Sequence, residues 1–256
     1  MANRAETTKR KSQKVIIVMP AHNEEQTIGS VIDRAKKYGT IIVVNDASSD
    51  NTEKEAKKHG AVVITHKVNR GLGGALKTGF AEALKRKADV IITLDADGQH
   101  EPEEIPKFLE GIKLYDFVLG ARALNKYPFK KRFGNFFLNV ATNLISGTYL
   151  QDTESGFRAF RRSALEKLYL KSERYQIAIE IVFEVGRNNL SYTNVPIRVP
   201  VYVQGVGVID GIKNFGFLLY RRKRNFKDYV QDFKYVVRHW LKNGRITTYA
   251  KKKLGV

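Results

Sequence analysis

Short apolar runs rich in valine and isoleucine alternate, along the first half of the chain, with segments whose apolar residues recur at helical spacing. A strand that is apolar throughout is buried on both faces, which is typical of a parallel sheet with helices packed on both sides. Parallel strands also need helical crossover connections. The alternation therefore predicts an α/β fold with a mostly parallel, Rossmann-like sheet. The predicted strands are Val15–Met19, Ile41–Asn45, Ala61–Thr65, Val90–Leu94 and Phe117–Gly120.

Helix boundaries are predicted from capping residues and apolar periodicity. Asn23 is expected to cap the first helix, with Glu24 and Glu25 at the favourable end of its dipole, and Asp50 to cap the second. Beyond residue 121 the regularity weakens. The other predicted elements are a helix opened by Asn69–Gly79 that runs to about Lys87, helices over Glu103–Leu114 and Phe133–Leu150, and a strand pair over Val195–Val203. The helix over Phe133–Leu150 is amphipathic and too polar to span a bilayer.

The formal net charge of +19 is unevenly distributed along the chain. Residues 14–120 carry fifteen basic and sixteen acidic side chains, whereas residues 121–256 carry twenty-six basic and nine acidic ones. This asymmetry predicts that the second half faces something anionic, such as lipid head groups, phosphorylated acceptors or nucleic acid; general solubility is the alternative. The chain has no cysteine, which excludes disulfides and thiolate metal sites and fits a reducing compartment.

The segment Asp95-Ala96-Asp97 is the central chemical feature of the sequence. Its two carboxylates lie just past a buried parallel strand, where ligands bind in open α/β sheets. A hard divalent cation, Mg²⁺ or Mn²⁺, takes one or two carboxylates plus phosphate oxygens of a ligand, and Gln99 can add a neutral oxygen. A solvated acidic turn is the alternative, but the position after the fourth strand favours a metal site.

Two further features concern nucleotide binding. Asp46 follows the second strand, where its carboxylate can accept a hydrogen bond from the ring N–H of uracil or guanine; ordinary turn chemistry is the alternative. The glycines Gly71, Gly73 and Gly74 superficially suggest a dinucleotide fingerprint. That fingerprint belongs after the first strand of a βαβ unit, whereas these glycines follow the third strand, so a dehydrogenase is rejected.

Six motifs occur in the order typical of family 2 glycosyltransferases, and over roughly residues 14–165 the chain resembles that family, in particular its dolichyl-phosphate mannosyltransferase branch. The motifs are Pro20–Glu25, Asn45–Thr52, Asn69–Gly79, Asp95–Pro102, Gly120–Arg122 and Asp152–Arg158. The resemblance implies the glycosyltransferase type A fold and inversion at the anomeric carbon. It also implies a GDP- or UDP-hexose donor, with GDP-mannose or UDP-glucose favoured, and Mg²⁺ or Mn²⁺ as cofactor.

The resemblance further implies roles for individual residues. Those assigned to the nucleotide sugar are Pro20, Ala21, Asn23, Glu24, Asp46, Gly73, Lys77, Asp95 and Ala96. Those assigned to the metal are Asp95, Asp97 and Gln99, and the catalytic set is Asp97, Asp152 and Arg122. Arg122 and Arg132 are expected to hold the phosphate of the acceptor, since guanidinium groups suit that task. A surface ion pair is the alternative for Arg122, and a solvated or lipid-facing charge for Arg132.

The role of Asp152 depends on the acceptor. A hydroxyl acceptor requires a general base, whereas a phosphate is already anionic at neutral pH, in which case Asp152 would orient an arginine or the substrate. A helix cap or a partner for Arg158 is the alternative. The stretch Gln204–Gly211 lacks the arginine and the Ser-Lys pair common in this branch, and Asn45 stands where an aspartate is usual. These departures leave the acceptor open.

The domain prediction is a disordered basic leader over residues 1–13, a type A catalytic domain over 14–211 and a basic amphipathic helical extension over 212–256. Aromatic residues at helical spacing in that extension favour either an anionic membrane interface or packing onto the catalytic domain. The first hypothesis is an enzyme peripheral on the cytoplasmic face of a membrane, which transfers a hexose to a polyprenyl or dolichyl phosphate. The alternative is transfer to a hydroxyl of a glycan or other soluble acceptor. Nucleic-acid binding leaves the acidic pair unexplained and is rejected.

Overall fold

The computed structural model describes residues 13–122 and 129–198, the side chains of residues 129–137 excepted. A seven-stranded sheet runs through this part of the chain. Its strands are β1 (Val15–Ala21), β2 (Thr40–Asn45), β3 (Val62–Thr65), β4 (Val90–Thr93), β5 (Phe117–Arg122), β6 (Arg158–Arg161) and β7 (Tyr192–Ile197).

The strand order is β3-β2-β1-β4-β6-β5-β7. Every neighbouring pair is parallel except the two pairs that contain β6, which runs antiparallel to β4 and to β5. The mostly parallel sheet predicted from the apolar runs is therefore confirmed. Because the chain moves outward from β1 to β3 and then returns to β4, the strand order reverses between β1 and β4, and ligands of such sheets bind at that point.

Helices cover both faces of the sheet, as predicted. They are α1 (Ile28–Ala35), α2 (Thr52–Lys58), α3 (Gly71–Lys85), α4 (Ile105–Leu114), α5 (Phe129–Ser146), α6 (Arg162–Leu165) and α7 (Ile177–Arg187), and a 3₁₀ turn over Pro102–Glu104 precedes α4. Alternate residues of β1 enter different cores: Ile17 and Met19 pack with α1 and α4, while Ile16 and Val18 pack with α3 and α7. Burial on both faces explains why the strand is apolar throughout.

Three local predictions need correction. Asn23 does not cap α1, which begins at Ile28 with no side-chain cap; Asn23 has a φ of 60° and bonds the next loop instead. The predicted helix over Phe133–Leu150 begins and ends four residues earlier. The late strand begins at Tyr192 and ends at Ile197, and residues 199–203 lie outside the described residues. Asp50 stands one residue before the N-cap position of α2, which Asn51 occupies, and accepts the backbone N–H of Thr52, the first residue of the helix.

Helix α5 has a polar stripe that is buried instead of facing water. Thr142 and Ser146 are 2% and 8% exposed, and Ser146 bonds Thr148 in the segment that follows the helix. Within the described part of the chain, no helix is long and apolar enough to cross a membrane. Residues 1–12 of the predicted leader, the stretch Gln204–Gly211 and the predicted extension over 212–256 lie outside the described residues.

Candidate active site

The carboxyl ends of the parallel strands bring the predicted site residues to one edge of the sheet. Ala21 ends β1 and pairs with Asn45 at the end of β2, and Asp46 donates its backbone N–H to the carbonyl of Ala21. Asp95 lies two residues beyond β4, and Arg122 is the last residue of β5. Because β1, β2, β4 and β5 run parallel, these residues share one edge.

Asp97 and Gln99 form a tight turn beyond β4. The Gln99 backbone N–H donates to Oδ1 of Asp97 at 2.9 Å, and the Gln99 side-chain amide donates to Oδ2. Gly98, between them, has a φ of 74°, a backbone conformation that glycine adopts without strain. Burial raises the pKa of Asp97, and the negative charge of Asp95 raises it further. Asp95 is therefore close enough to disfavour the charge of Asp97.

Asp95 lies in a closely packed corner. A Cβ atom at Gly156 would stand 2.3 Å from Oδ2 of Asp95 and 2.6 Å from Oδ1, so a larger residue here would force this carboxylate to move. The Thr93 hydroxyl donates to the Gly156 carbonyl at 2.6 Å, which fixes that glycine against the end of β4. Nδ1 of His100 lies 3.3 Å from Oδ2 of Asp95. Burial lowers the pKa of His100, so the imidazole is neutral at neutral pH.

Glu24 adds a third carboxylate to the acidic region. Burial raises its pKa, and the charges of Asp97, Asp95 and Asp50 raise it further, while a hydrogen bond from Thr27 opposes the shift. Its backbone N–H donates to the Thr52 hydroxyl at 2.7 Å, which ties the start of α1 to the start of α2. The structure thus brings Glu24 into electrostatic reach of the acidic turn.

The acidic turn fits a hard divalent cation. The raised pKa of Asp97 reflects burial and repulsion by Asp95, and a bound cation would relieve that repulsion. Among the described residues there is no group of three or more His, Cys, Asp or Glu side chains that could hold a metal by itself. Two carboxylates with an amide oxygen and ligand phosphates match the way Mg²⁺ is usually held.

Arg122 and Asp152 form a bidentate ion pair. Nε of Arg122 donates to Oδ2 of Asp152 at 2.6 Å, Nη2 donates to Oδ1 at 2.8 Å, and the Arg122 backbone N–H donates to Oδ2 at 3.2 Å. The Asp152 side chain is 5% exposed and that of Arg122 is 21% exposed. The charges of both residues act on the pKa of the buried His100, which places the pair beside the acidic turn. Asp152 therefore pairs with Arg122, and not with Arg158.

The segment that carries Asp152 is held by asparagines of α5. Oδ1 of Asn143 accepts the Leu150 N–H at 2.9 Å, and its Nδ2 donates to the Leu150 carbonyl at 2.7 Å. Asn139 accepts the N–H of Thr153 at 2.8 Å and also donates to the Gln151 carbonyl. The polar stripe of α5 thus serves to position the residues on both sides of Asp152.

Arg158 is a buried cation that sequence reasoning left without a role. It is 1% exposed, and burial lowers its pKa to about 10, while the charges of Asp95 and Asp152 oppose the shift. The guanidinium therefore stays protonated at neutral pH and offsets negative charge at both aspartates. Gly156 and Arg158 belong to the motif Asp152–Arg158, and His100 belongs to Asp95–Pro102, so membership of these motifs was the available signal.

Asp46, Lys77 and Gly73, also predicted for the nucleotide site, contact other parts of the protein. Both oxygens of Asp46, a buried residue, already accept hydrogen bonds, from the backbone N–H groups of Arg70 and Gly71 at 2.9 and 2.7 Å. Nζ of Lys77 donates to Glu173 at 2.7 Å. Gly73 packs against the backbone of residues 172–173.

The remaining predicted site residues are Pro20, Ala21, Ala96, Asn23 and Arg132. Pro20 and Ala21 end β1, and Ala96 is 2% exposed with its methyl group in the core. Oδ1 of Asn23 accepts the Ser49 N–H at 2.9 Å, which joins the loops after β1 and β2. Arg132 lies in the first half of α5, where the side chains are outside the described residues.

Comparisons with known proteins identify similar sequences and a similar fold. The model of "Glycosyl transferase family 2" matches residues 16–169. A UDP-N-acetylglucosamine–dolichyl-phosphate N-acetylglucosaminyltransferase of Methanococcus voltae is 35% identical over 80% of this chain and 94% of its own. An undecaprenyl-phosphate mannosyltransferase of Micrococcus luteus is 29% identical over 72% of this chain and 82% of its own.

Among solved structures, glucosyl-3-phosphoglycerate synthase of Mycobacterium tuberculosis has a similar fold. Its complex with Mn²⁺, UDP-glucose and phosphoglyceric acid superposes with a TM-score of 0.66 at 22% identity, over 82% of this chain and 80% of the other. At this level of identity the superposition supports the type A fold alone.

Proposed function

Because the chain belongs to glycosyl transferase family 2, we propose that it transfers a hexose or hexosamine from a UDP- or GDP-sugar to a polyprenyl phosphate of the dolichyl type. The proposal includes inversion at the anomeric carbon and a requirement for Mg²⁺ or Mn²⁺. Relatives named for dolichyl phosphate and undecaprenyl phosphate support the acceptor class. Their names differ in the sugar transferred, so the donor is to be established by experiment.

The single observation that carries the acceptor proposal is the pair between Arg122 and Asp152. Transfer to a hydroxyl needs a general base. Both oxygens of Asp152 accept hydrogen bonds from Arg122 and the side chain is only 5% exposed, so a substrate hydroxyl has little access to this carboxylate. A phosphate acceptor brings its own negative charge and needs no base. The arrangement supports a role for Asp152 in orienting Arg122, whose partly exposed guanidinium can bind the acceptor phosphate.

The residues support a single displacement. An oxygen of the acceptor phosphate attacks the anomeric carbon, and the bond from that carbon to the diphosphate oxygen breaks, which inverts the configuration. Asp95, Asp97 and Gln99 would hold the divalent cation, which supplies positive charge to the leaving nucleoside diphosphate. Arg122, held by Asp152, orients the attacking phosphate; Glu24 and Asp46 lie on the nucleotide side of the same edge. The buried guanidinium of Arg158 supplies positive charge near Asp95 and Asp152.

We also propose that the enzyme works on the cytoplasmic face of a membrane, as a peripheral protein. The acceptor is a lipid, and residues 121–256 carry twenty-six basic against nine acidic side chains, which favours contact with anionic head groups. Sedimentation with vesicles that contain anionic lipid, and release of the protein as salt is raised, tests this part of the proposal.

Product extraction tests the acceptor class directly. Purified protein is incubated with Mn²⁺, radiolabelled nucleotide sugars tested one at a time, and a short-chain polyprenyl phosphate. We expect the label from one of the sugars to move into an organic solvent phase, and only when the lipid phosphate is present. A water-soluble product that forms without the lipid would contradict the proposal and favour a hydroxyl of a soluble acceptor.

Arg122→Lys should weaken use of the acceptor. A lysine ammonium is a point charge and cannot contact Asp152 bidentately while donating to a phosphate. We expect the KM for the polyprenyl phosphate to rise about tenfold, as for the loss of one charge-assisted hydrogen bond, with the donor KM unchanged. Arg161→Lys is the matched control, since Arg161 lies on the neighbouring strand β6 and donates to carbonyls at the end of α4. Equal changes in both variants would contradict the assignment.

A further inference from the structure

Helix α7 carries two fully buried glutamates, Glu180 and Glu184. Burying a carboxylate is costly unless its oxygens are hydrogen-bonded. Oε1 of Glu180 accepts the backbone N–H of Lys171 at 2.9 Å, and Oε2 accepts that of Ser172 at 2.8 Å. Each oxygen thus holds one of two consecutive backbone groups, which determines the position and direction of the chain at residues 171–173. We call residues 171–173 the bracing segment.

The bracing segment packs directly against the glycine-rich start of α3. A Cβ atom at Gly73 would stand 2.3 Å from the carbonyl oxygen of Ser172 and 2.7 Å from the carbonyl carbon of Glu173. The backbone N–H of Gly74 donates to the Glu173 carbonyl at 2.9 Å. The absence of a side chain at Gly73 is therefore what admits the bracing segment.

The start of α3, which packs on the bracing segment, also holds Asp46. The backbone N–H groups of Arg70 and Gly71 donate to the two oxygens of the Asp46 carboxylate. The side chains of Arg70 and Lys77 reach Glu173 at 3.5 and 2.7 Å, so charge reinforces the contact with the bracing segment. A continuous chain of hydrogen bonds and close packing therefore runs from Glu180, through the bracing segment, to Asp46.

We propose that Glu180 is a positioning residue for nucleotide binding, acting through the bracing segment on the start of α3 and on Asp46. The inference rests on the proposed function, since it takes the edge beside Asp46 as the nucleotide side of the site. It assigns Gly73 and Lys77 to the contact between the bracing segment and the start of α3. This chain of contacts ends at Asp46, which follows β2, whereas Arg122 ends β5, four positions along the sheet. It should therefore act on donor binding and leave acceptor binding unchanged.

The test compares Glu180→Gln with Glu184→Gln. Glutamine keeps the size of glutamate but has only one oxygen, so it turns an N–H group toward one of the two backbone donors of the bracing segment. We expect the Kd for UDP or GDP with Mn²⁺, whichever the wild type binds, to rise about tenfold in Glu180→Gln. The donor KM should rise similarly, and the KM for the polyprenyl phosphate should stay unchanged.

Glu184→Gln is the matched control because Glu184 is equally buried one turn further along α7. Its hydrogen bonds reach the backbone of Tyr169 and the side chains of Arg187 and Asn188, outside the bracing segment. We expect it to lower Tm comparably and to bind the nucleotide like the wild type. Gly73→Ala, which pushes on the bracing segment from the other side, should reproduce the donor-specific loss.

Four results would count against the positioning role of Glu180 or against its premise. Wild-type nucleotide affinity in folded Glu180→Gln, or equal losses in Glu180→Gln and Glu184→Gln, would overturn the positioning role. If Glu180→Gln does not fold, Gly73→Ala decides the matter alone, and a wild-type Kd in that variant would likewise overturn the inference. Failure of the wild type to bind either UDP or GDP would instead overturn the proposed function, and the premise of the inference with it.

Discussion

Asp97→Asn should reduce sugar transfer by at least about 10³-fold, which corresponds to about 4 kcal/mol in the activation barrier. The substitution keeps the shape of the side chain but removes a negative oxygen from the proposed cation site. Loss of the cation would leave the charge on the departing diphosphate uncompensated, and metal ions supply several kcal/mol of such stabilisation. Turnover at saturating Mg²⁺ and Mn²⁺ is the measurement.

The fold should survive the Asp97→Asn substitution. Burial and the charge of Asp95 raise the pKa of Asp97, so folding disfavours the ionised form and, at neutral pH, that charge costs stability. A neutral amide removes the cost, and the free energy of unfolding should be unchanged or higher in the absence of metal. Asp33→Asn, at an exposed aspartate of α1 bonded to Lys36, is the control and should retain full activity. Wild-type turnover in Asp97→Asn would refute the metal assignment.

Gly156→Ala should lower kcat/KM about 100-fold, because the added methyl group displaces Asp95 and not because it contacts a substrate. The added methyl would overlap the Asp95 carboxylate, 2.3 Å from Oδ2, and the Thr93 hydroxyl bond to the Gly156 carbonyl prevents the backbone from moving away. Asp95 must therefore shift, and a misplacement of about 1 Å at a reacting site typically costs about 10²-fold. The Mn²⁺ concentration that gives the half-maximal rate should rise as well.

Gly111→Ala provides the comparison for Gly156→Ala. There the added methyl would stand 3.0 Å from a methyl group of Val118, in the core below α4. We expect Gly111→Ala to change Tm while leaving kcat/KM and the Mn²⁺ dependence unchanged. If Gly156→Ala changes only Tm, in the same way as Gly111→Ala, then Gly156 is a packing residue and its contact with Asp95 has no catalytic consequence.

The first five strands and the helices between them were predictable because their signals are local. Apolar runs and capping residues lie within a few positions of the elements that they specify. Strand β6 and helix α7 were not predicted. Strand β6 inserts between β4 and β5 in the opposite direction, which no local pattern indicates. Helix α7 is buried almost all round, so it lacks the polar face that makes helical periodicity visible.

Asn23 failed as a helix cap for a related reason. Asparagine at the end of a strand can cap a helix or adopt a left-handed conformation in a turn, and sequence does not distinguish the two. The neighbouring loop after β2 decides between them, because Ser48 and Ser49 offer Asn23 hydrogen bonds that a capping conformation would lose.

By itself, the sequence determined the parallel sheet, the edge at which Asp46, Asp95 and Arg122 lie, and the pair of carboxylates beyond the fourth strand, because each depends on residues close together in the chain. The tertiary structure was needed to show that Asp152 holds Arg122, that Gly156 lies on Asp95 and that residues 172–173 pack on Gly73. These contacts join residues between 30 and 100 positions apart, and such pairings are selected by the packing of the whole sheet and its helices.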